Sequence, residues 1–118
     1  MDSNDTPRSK LRGGLKVDTE VVGSGAVASR GDSVVIRLEI RLNRGDVVAT
    51  FDEYAFVVGK RQVIAAVDYA VEGMHVGGLC ELKAGPHLCY GAAGVPGKIP
   101  SNAVLCIRIE LLRCEKSG

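Results

Sequence analysis

The sequence predicts an α+β fold, an antiparallel sheet of five or six strands with one short helix. Three stretches carry that expectation. Val34, Ile36, Leu38, Ile40 and Leu42 alternate with Arg37, Glu39 and Arg41, the period of a strand with one face buried and the other in water. Leu105, Ile107, Ile109 and Leu111 repeat the pattern around Arg108 and Glu110. Between them the period changes. Over residues 62–71, Val63, Ile64, Val67 and Val71 fall on one side of a helix, with Ala65 and Ala66 as good helix formers.

The other elements follow in order. Residues 1–14 are polar, with Pro7 and a Gly13-Gly14 pair, and read as a disordered tail. Alternation from Leu15 gives a first strand over 15–22, ended by Gly23-Ser24-Gly25. Asn43-Arg44-Gly45-Asp46 is turn chemistry after the second strand. Two short strands are expected next, over 47–50 and 54–58, the latter stopped at Gly59. Gly73 closes the helix, and a strand over 79–84 is broken by Gly85-Pro86. Gly91, Gly94, Pro96, Gly97 and Pro100 make residues 90–102 a loop. The folded domain is placed at 15–114, with 115–118 as a C-terminal tail.

Composition narrows the function. A chain of 118 residues is one domain on the usual size prior. With 15 basic and 14 acidic residues the net charge is +1, which points to neither nucleic acid nor a membrane surface. No apolar run approaches the ~20 residues of a membrane span. Met-Asp-Ser-Asn-Asp-Thr-Pro is not a basic-then-apolar leader, so a cytoplasmic protein is expected. Cys80, Cys89, Cys106 and Cys114 have no Cys-x-x-Cys spacing and no histidine at ligand distance in sequence. Neither a metal nor a cofactor is expected, and the thiols are read as reduced, with Cys80 and Cys106 as small sheet residues.

The pattern Tyr-Gly-x-x-Gly-x-x-x-x-Ile-Pro-x-Asn-Ala-x-Leu, Tyr90 to Leu105, resembles the FKBP-type peptidyl-prolyl isomerases. So do Val58-Gly59-Lys60-Arg61-Gln62-Val63-Ile64 and Gly73-Met74-His75-Val76-Gly77-Gly78. The three pieces stand in the family's order, and the likeness spans 15–114. It implies an antiparallel half-barrel sheet wrapped around one short helix, and a pocket between sheet and helix where a proline enters and its peptide bond is twisted. That rotation faces a barrier of ~18–20 kcal/mol because amide resonance must break. An enzyme lowers it by drying the amide, favouring the twisted form and donating hydrogen bonds. Shape and apolarity matter more than a nucleophile.

Residue by residue, the resemblance implies catalytic roles for Tyr90, whose hydroxyl donates to the ligand amide, and for Ile64, whose backbone N–H meets the peptide carbonyl. Val63 and Ile99 match apolar pocket residues, and Tyr54 and Phe56 stand at a Phe-x-Phe pair. The departures lie in the rings. Val67 replaces the family's floor tryptophan, Leu38 a tyrosine, Ile107 a phenylalanine, and Val48-Ala49 a Phe-Asp pair. Phe51-Asp52, three residues on, is an alternative source of that pair, and the connection 50–54 is shorter than usual in the family. Losing these rings is expected to leave an apolar but wider pocket. The same residues also fit plainer roles: Tyr90 as a tyrosine bonded to its own loop, and Val63, Ile64, Val67 and Ile107 as core. The implied function is a weak peptidyl-prolyl isomerase acting on X-Pro bonds in protein folding. The alternative is a non-catalytic module binding a peptide or protein on the same concave face. The implied partner is a proline-containing peptide or protein segment, with a macrolide as a weak ligand, and the expected state is a monomer.

Overall fold

The alternating segments pair into one antiparallel sheet. A computed structural model describes residues 14–117, so the expected tail lies outside the described residues except for Gly14. The strands are β1 (Leu15–Val21), β2 (Ser33–Leu42), β3 (Val47–Val57), β4 (Leu79–Ala84) and β5 (Leu105–Glu115), and the helix α1 is Ala65–Val71. Their order across the sheet is β1-β4-β5-β2-β3. The sheet curves because several strands carry an extra residue in a bulge, which bends and twists a ladder locally. The shifts fall at Asp18 in β1, at Leu112 in β5, and twice in β3: at Val48, and where Asp52 and Glu53 together face Arg37.

The concave face is the core. Val34, Ile36, Leu38, Ile40 and Leu42 from β2 are buried there with Leu105, Ile107, Ile109 and Leu111 from β5 and Cys80, Leu82 and Ala84 from β4. Ala66, Val67, Ala70 and Val71 of α1 are buried against this face. Each Val, Ile or Leu so enclosed contributes ~1.5–3 kcal/mol relative to exposure. The outer face is a field of ion pairs, among them Arg37–Glu110, Arg108–Glu81 and Arg113–Glu53.

Three expectations change. The two short strands over 47–50 and 54–58 are one 11-residue strand, because the bulge at Asp52–Glu53 absorbs the residues expected to form a connection. The helix starts at Ala65 rather than 62. The preceding loop is tied instead: Gln62 Oε1 accepts the Val57 N–H at 2.9 Å, and the Asp68 carboxylate accepts the N–H groups of Gly59 (2.7 Å) and Arg61 (3.3 Å). Lastly, the domain does not stop at 114. β5 runs to Glu115, and Lys116 and Ser117 are fastened to buried Asp32, whose carboxylate accepts from Lys116 Nζ at 2.7 Å and from the N–H groups of Ser117 and Ser29, each at 2.9 Å.

Candidate functional site

The rings gather on β3. Cross-strand partners share a face, and Phe51, Tyr54 and Phe56 pair with Leu38, Ile36 and Val34, all concave-side core residues. The three rings stand edge to face in a row, with centroids 5.1 Å apart for Phe51–Tyr54 and 6.3 Å for Tyr54–Phe56. Such geometry suits the ring quadrupoles. Phe56 is buried, Tyr54 half-buried, and Phe51 is 39% exposed at the open end.

The 90–102 loop carries two more of the matched residues, Tyr90 and Ile99. It is braced by its own backbone: Val95 and Ile99 exchange both N–H···O bonds at 2.8 Å, Gly94 N–H donates to Tyr90 O, and Asn102 N–H to Gly91 O. Gly94 is required here. Its φ is +61°, and a Cβ would stand 2.4 Å from the Ile99 carbonyl oxygen. Ile99 turns inward and is buried. Tyr90 is half-buried, and its phenol pKa is raised by burial first, then by the neighbouring Cys89 and Tyr54. Its hydroxyl makes no hydrogen bond among the described residues. Burial also pushes the Cys89 thiol up to about 11, which leaves it protonated and unreactive at neutral pH.

Ile64 caps the helix with extended backbone (φ −60°, ψ 150°). Its carbonyl accepts from Val67 and Asp68, while its own N–H has no acceptor among the described residues. Among the described residues, two donors, the Tyr90 hydroxyl and the Ile64 N–H, are therefore without an acceptor.

The other sequence-derived positions divide. Val67 is 0% exposed, Ile107 2% and Leu38 4%. They form the core under the site and present almost no surface, so the aliphatic substitutions have been closed over rather than left as a wider floor. Val63 lines a separate polar groove of about 600 Å³ with Arg30, Arg61 and Tyr69. Val48 sits in the first bulge, at the far end of β3 from Tyr54. A larger groove of about 720 Å³ opens between the ends of β2, β3 and β5 and touches Phe56, yet its lining includes none of Tyr54, Ile64, Tyr90 or Ile99. Phe51, offered from the sequence with Asp52 as the alternative source of the Phe-Asp pair, stands in the ring row. Its signal was its aromatic character next to a shortened connection.

Comparison with known proteins agrees with this architecture. Residues 25–112 match the FKBP-type peptidyl-prolyl cis-trans isomerase family. The chain is 37% identical over 114 residues to FK506-binding protein 4 of Gibberella zeae, covering 94% of this chain and 23% of that protein. It is 37% identical over 111 residues to the 39 kDa FK506-binding nuclear protein of Drosophila melanogaster, covering 89% and 30%. This chain thus spans less than a third of either relative. The crystal structure of AtFKBP13 superposes with a TM-score of 0.80 at 28% identity, over 89% of this chain and 96% of that one. The sheet, its helix and the matched residues together make this chain a member of the FKBP-type peptidyl-prolyl cis-trans isomerase family.

Proposed function

We propose that the domain catalyses cis–trans isomerisation of X-Pro bonds in unfolded or mobile protein segments, at a rate below that of family members with a full set of rings. The observation that carries this reading is the edge-to-face row of Phe51, Tyr54 and Phe56 on β3, together with a half-buried Tyr90 whose hydroxyl makes no hydrogen bond among the described residues. A proline ring seated against these residues leaves its peptide bond in a partly dry setting. Donors that hold the flanking carbonyls favour the twisted amide over the planar one. Each transition-state contact of ~1.4 kcal/mol that is missing lowers the rate about tenfold, and the closed floor at Val67, Leu38 and Ile107 removes ring contacts.

That closed floor also favours a second reading, a non-catalytic module that holds a proline-containing segment on the same face. The two part in one experiment. Cis–trans exchange of a series of Xaa-Pro peptides is followed by protease-coupled assay alongside binding titrations. Weak acceleration abolished by competing peptide supports the isomerase; saturable binding with no acceleration supports the module. We further propose a monomer working in the cytoplasm, a reading supported by the four free thiols, and only weak macrolide binding, since a rigid ring system relies on the ring-lined depth that is closed here.

A further inference from the structure

We propose that the free edge of β3 pairs with the segment carrying the proline, adding it to the sheet as an antiparallel strand, and that Asp52 selects a basic residue immediately after that proline. This rests on the X-Pro reading above and names its substrate class.

Among the described residues β3 is last in the sheet and pairs only with β2. Edge strands are ordinarily blunted with Lys, Pro, other charges or bulges; β3 has bulges at Val48 and Asp52–Glu53 but neither Lys nor Pro, and it exposes Val47 and Phe51. The direction of its backbone groups follows from Val57. The Val57 N–H donates outward to Gln62 Oε1, and its carbonyl accepts from the Lys60 N–H. Backbone groups two residues apart point the same way, and the ladder between Val57 and Ala55 is unbroken. Ala55 therefore directs its N–H and C=O away from β2. It is exposed, and it makes no other backbone bond among the described residues. Gln62 stops the edge on one side and the Asp52–Glu53 bulge on the other, leaving one open rung.

That rung suits proline. In an antiparallel strand, the residue opposite Ala55 uses both its backbone groups on the rung. The next residue faces the concave side beside Tyr54, with its amide position turned away from β3. Proline lacks an N–H and loses no ladder bond there. The residue immediately after proline then faces the outer side, level with the bulge where Asp52 and Glu53 together stand opposite Arg37. Glu53 is held by Arg113 at 3.1 Å, whereas Asp52 has no ion pair or hydrogen bond among the described residues. β3 carries two acids and no base, so the edge is complementary to a cationic segment.

The test titrates the protein with nine-residue fluorescent peptides built on a central Ala-Pro, with Lys or Glu immediately after the proline. Matched peptides are N-methylated one or two residues before it, and a further set has Ala for Pro. Cis–trans exchange is measured on the same samples. The Lys peptide is expected to bind about two- to fivefold more tightly than the Glu peptide, and Asp52→Lys is expected to invert the order. N-methylation one residue before proline should weaken binding about two- to twelvefold, with no effect one position further back. Ala55→Pro, which removes an N–H that the fold does not use, should weaken binding by a similar factor. A flat N-methyl scan with unchanged binding by Ala55→Pro overturns the proposal, and measurable exchange then leaves the isomerase reading standing. Alternating N-methyl sensitivity that persists in the Ala-for-Pro set, without any exchange, supports edge pairing and defeats the isomerase reading. A dimer in sedimentation that Ala55→Pro dissociates would assign the edge to a second copy and also overturn the proposal.

Discussion

Replacing Tyr90 by Phe removes a donor and leaves the braced loop intact, since the hydroxyl bonds to no described residue. Peptide binding is expected to weaken by ~0.5–1.5 kcal/mol with an unchanged melting temperature. A lowered melting temperature with equal binding would make Tyr90 structural. Its raised pKa fixes the pH behaviour: the phenol stays a donor up to and beyond its ordinary value of 10.0, so this contribution should be level across neutral pH. Phe51 and Phe56 separate affinity from stability. Phe51 is 39% exposed and Phe56 4%. Phe51→Ala should lower peptide affinity with little effect on unfolding, while Phe56→Ala should cost ~3–5 kcal/mol of stability, read by denaturant titration. Val67 has no surface at all, so Val67→Trp overfills a packed core. It should destabilise the domain by ~1–3 kcal/mol in thermal unfolding and not deepen a cleft.

The regular strands were legible in the sequence because their period is unambiguous: five buried apolar residues alternate through β2 and four through β5. What escaped were features decided by tertiary partners. Apolar spacing over residues 62–71 matches a helix, yet Asp68 and Gln62 bind backbone groups of the approach and hold it as a loop. No local pattern announces that a helical aspartate will reach back over nine residues to Gly59. The strength of this tie can be measured. Asp68→Ala strands the N–H groups of Gly59 and Arg61 in a partly buried setting, and unfolding free energy is expected to fall by ~1–3 kcal/mol. Peptide affinity should fall with it, because Ile64 is positioned by the same loop. Likewise β3 was read as two pieces because its bulge interrupts the alternation. Phe51 was offered only as an alternative to Val48 for the same reason, since an extra residue changes which side chains share a face.

At the scale of the whole molecule, family membership was carried by three short motifs in register, and the closed floor was not. Sequence shows that rings are missing; only packing shows whether the space they leave is open. The C-terminal fastening was equally invisible, since it joins Asp32 to residues 116 and 117. It sets an acid limit. The bond from Lys116, with the N–H groups of Ser117 and Ser29, holds the Asp32 carboxyl well below its ordinary value of 3.8. A group depressed in the fold stabilises it above its unfolded pKa and loses that contribution as pH falls through the folded value. Wild type should therefore melt above Asp32→Asn at pH 5, with the gap narrowing from just below pH 4 downward and closing in strong acid. A constant gap across melts at stepped pH would show that the bonds act without the charge.

The place of β5 has a consequence for biosynthesis. It is the last strand of the described chain, yet it lies third in the order, bonded on one flank to β4 and on the other to β2. Until it emerges from the ribosome, β1 with β4 and β2 with β3 are separate two-stranded ribbons, and isolated ribbons are marginal in water. The nascent chain must therefore wait, with apolar faces unshielded, for its final strand to zip both halves together. That non-local step makes for slow folding. The exposed interval of this domain therefore lasts until β5 has emerged.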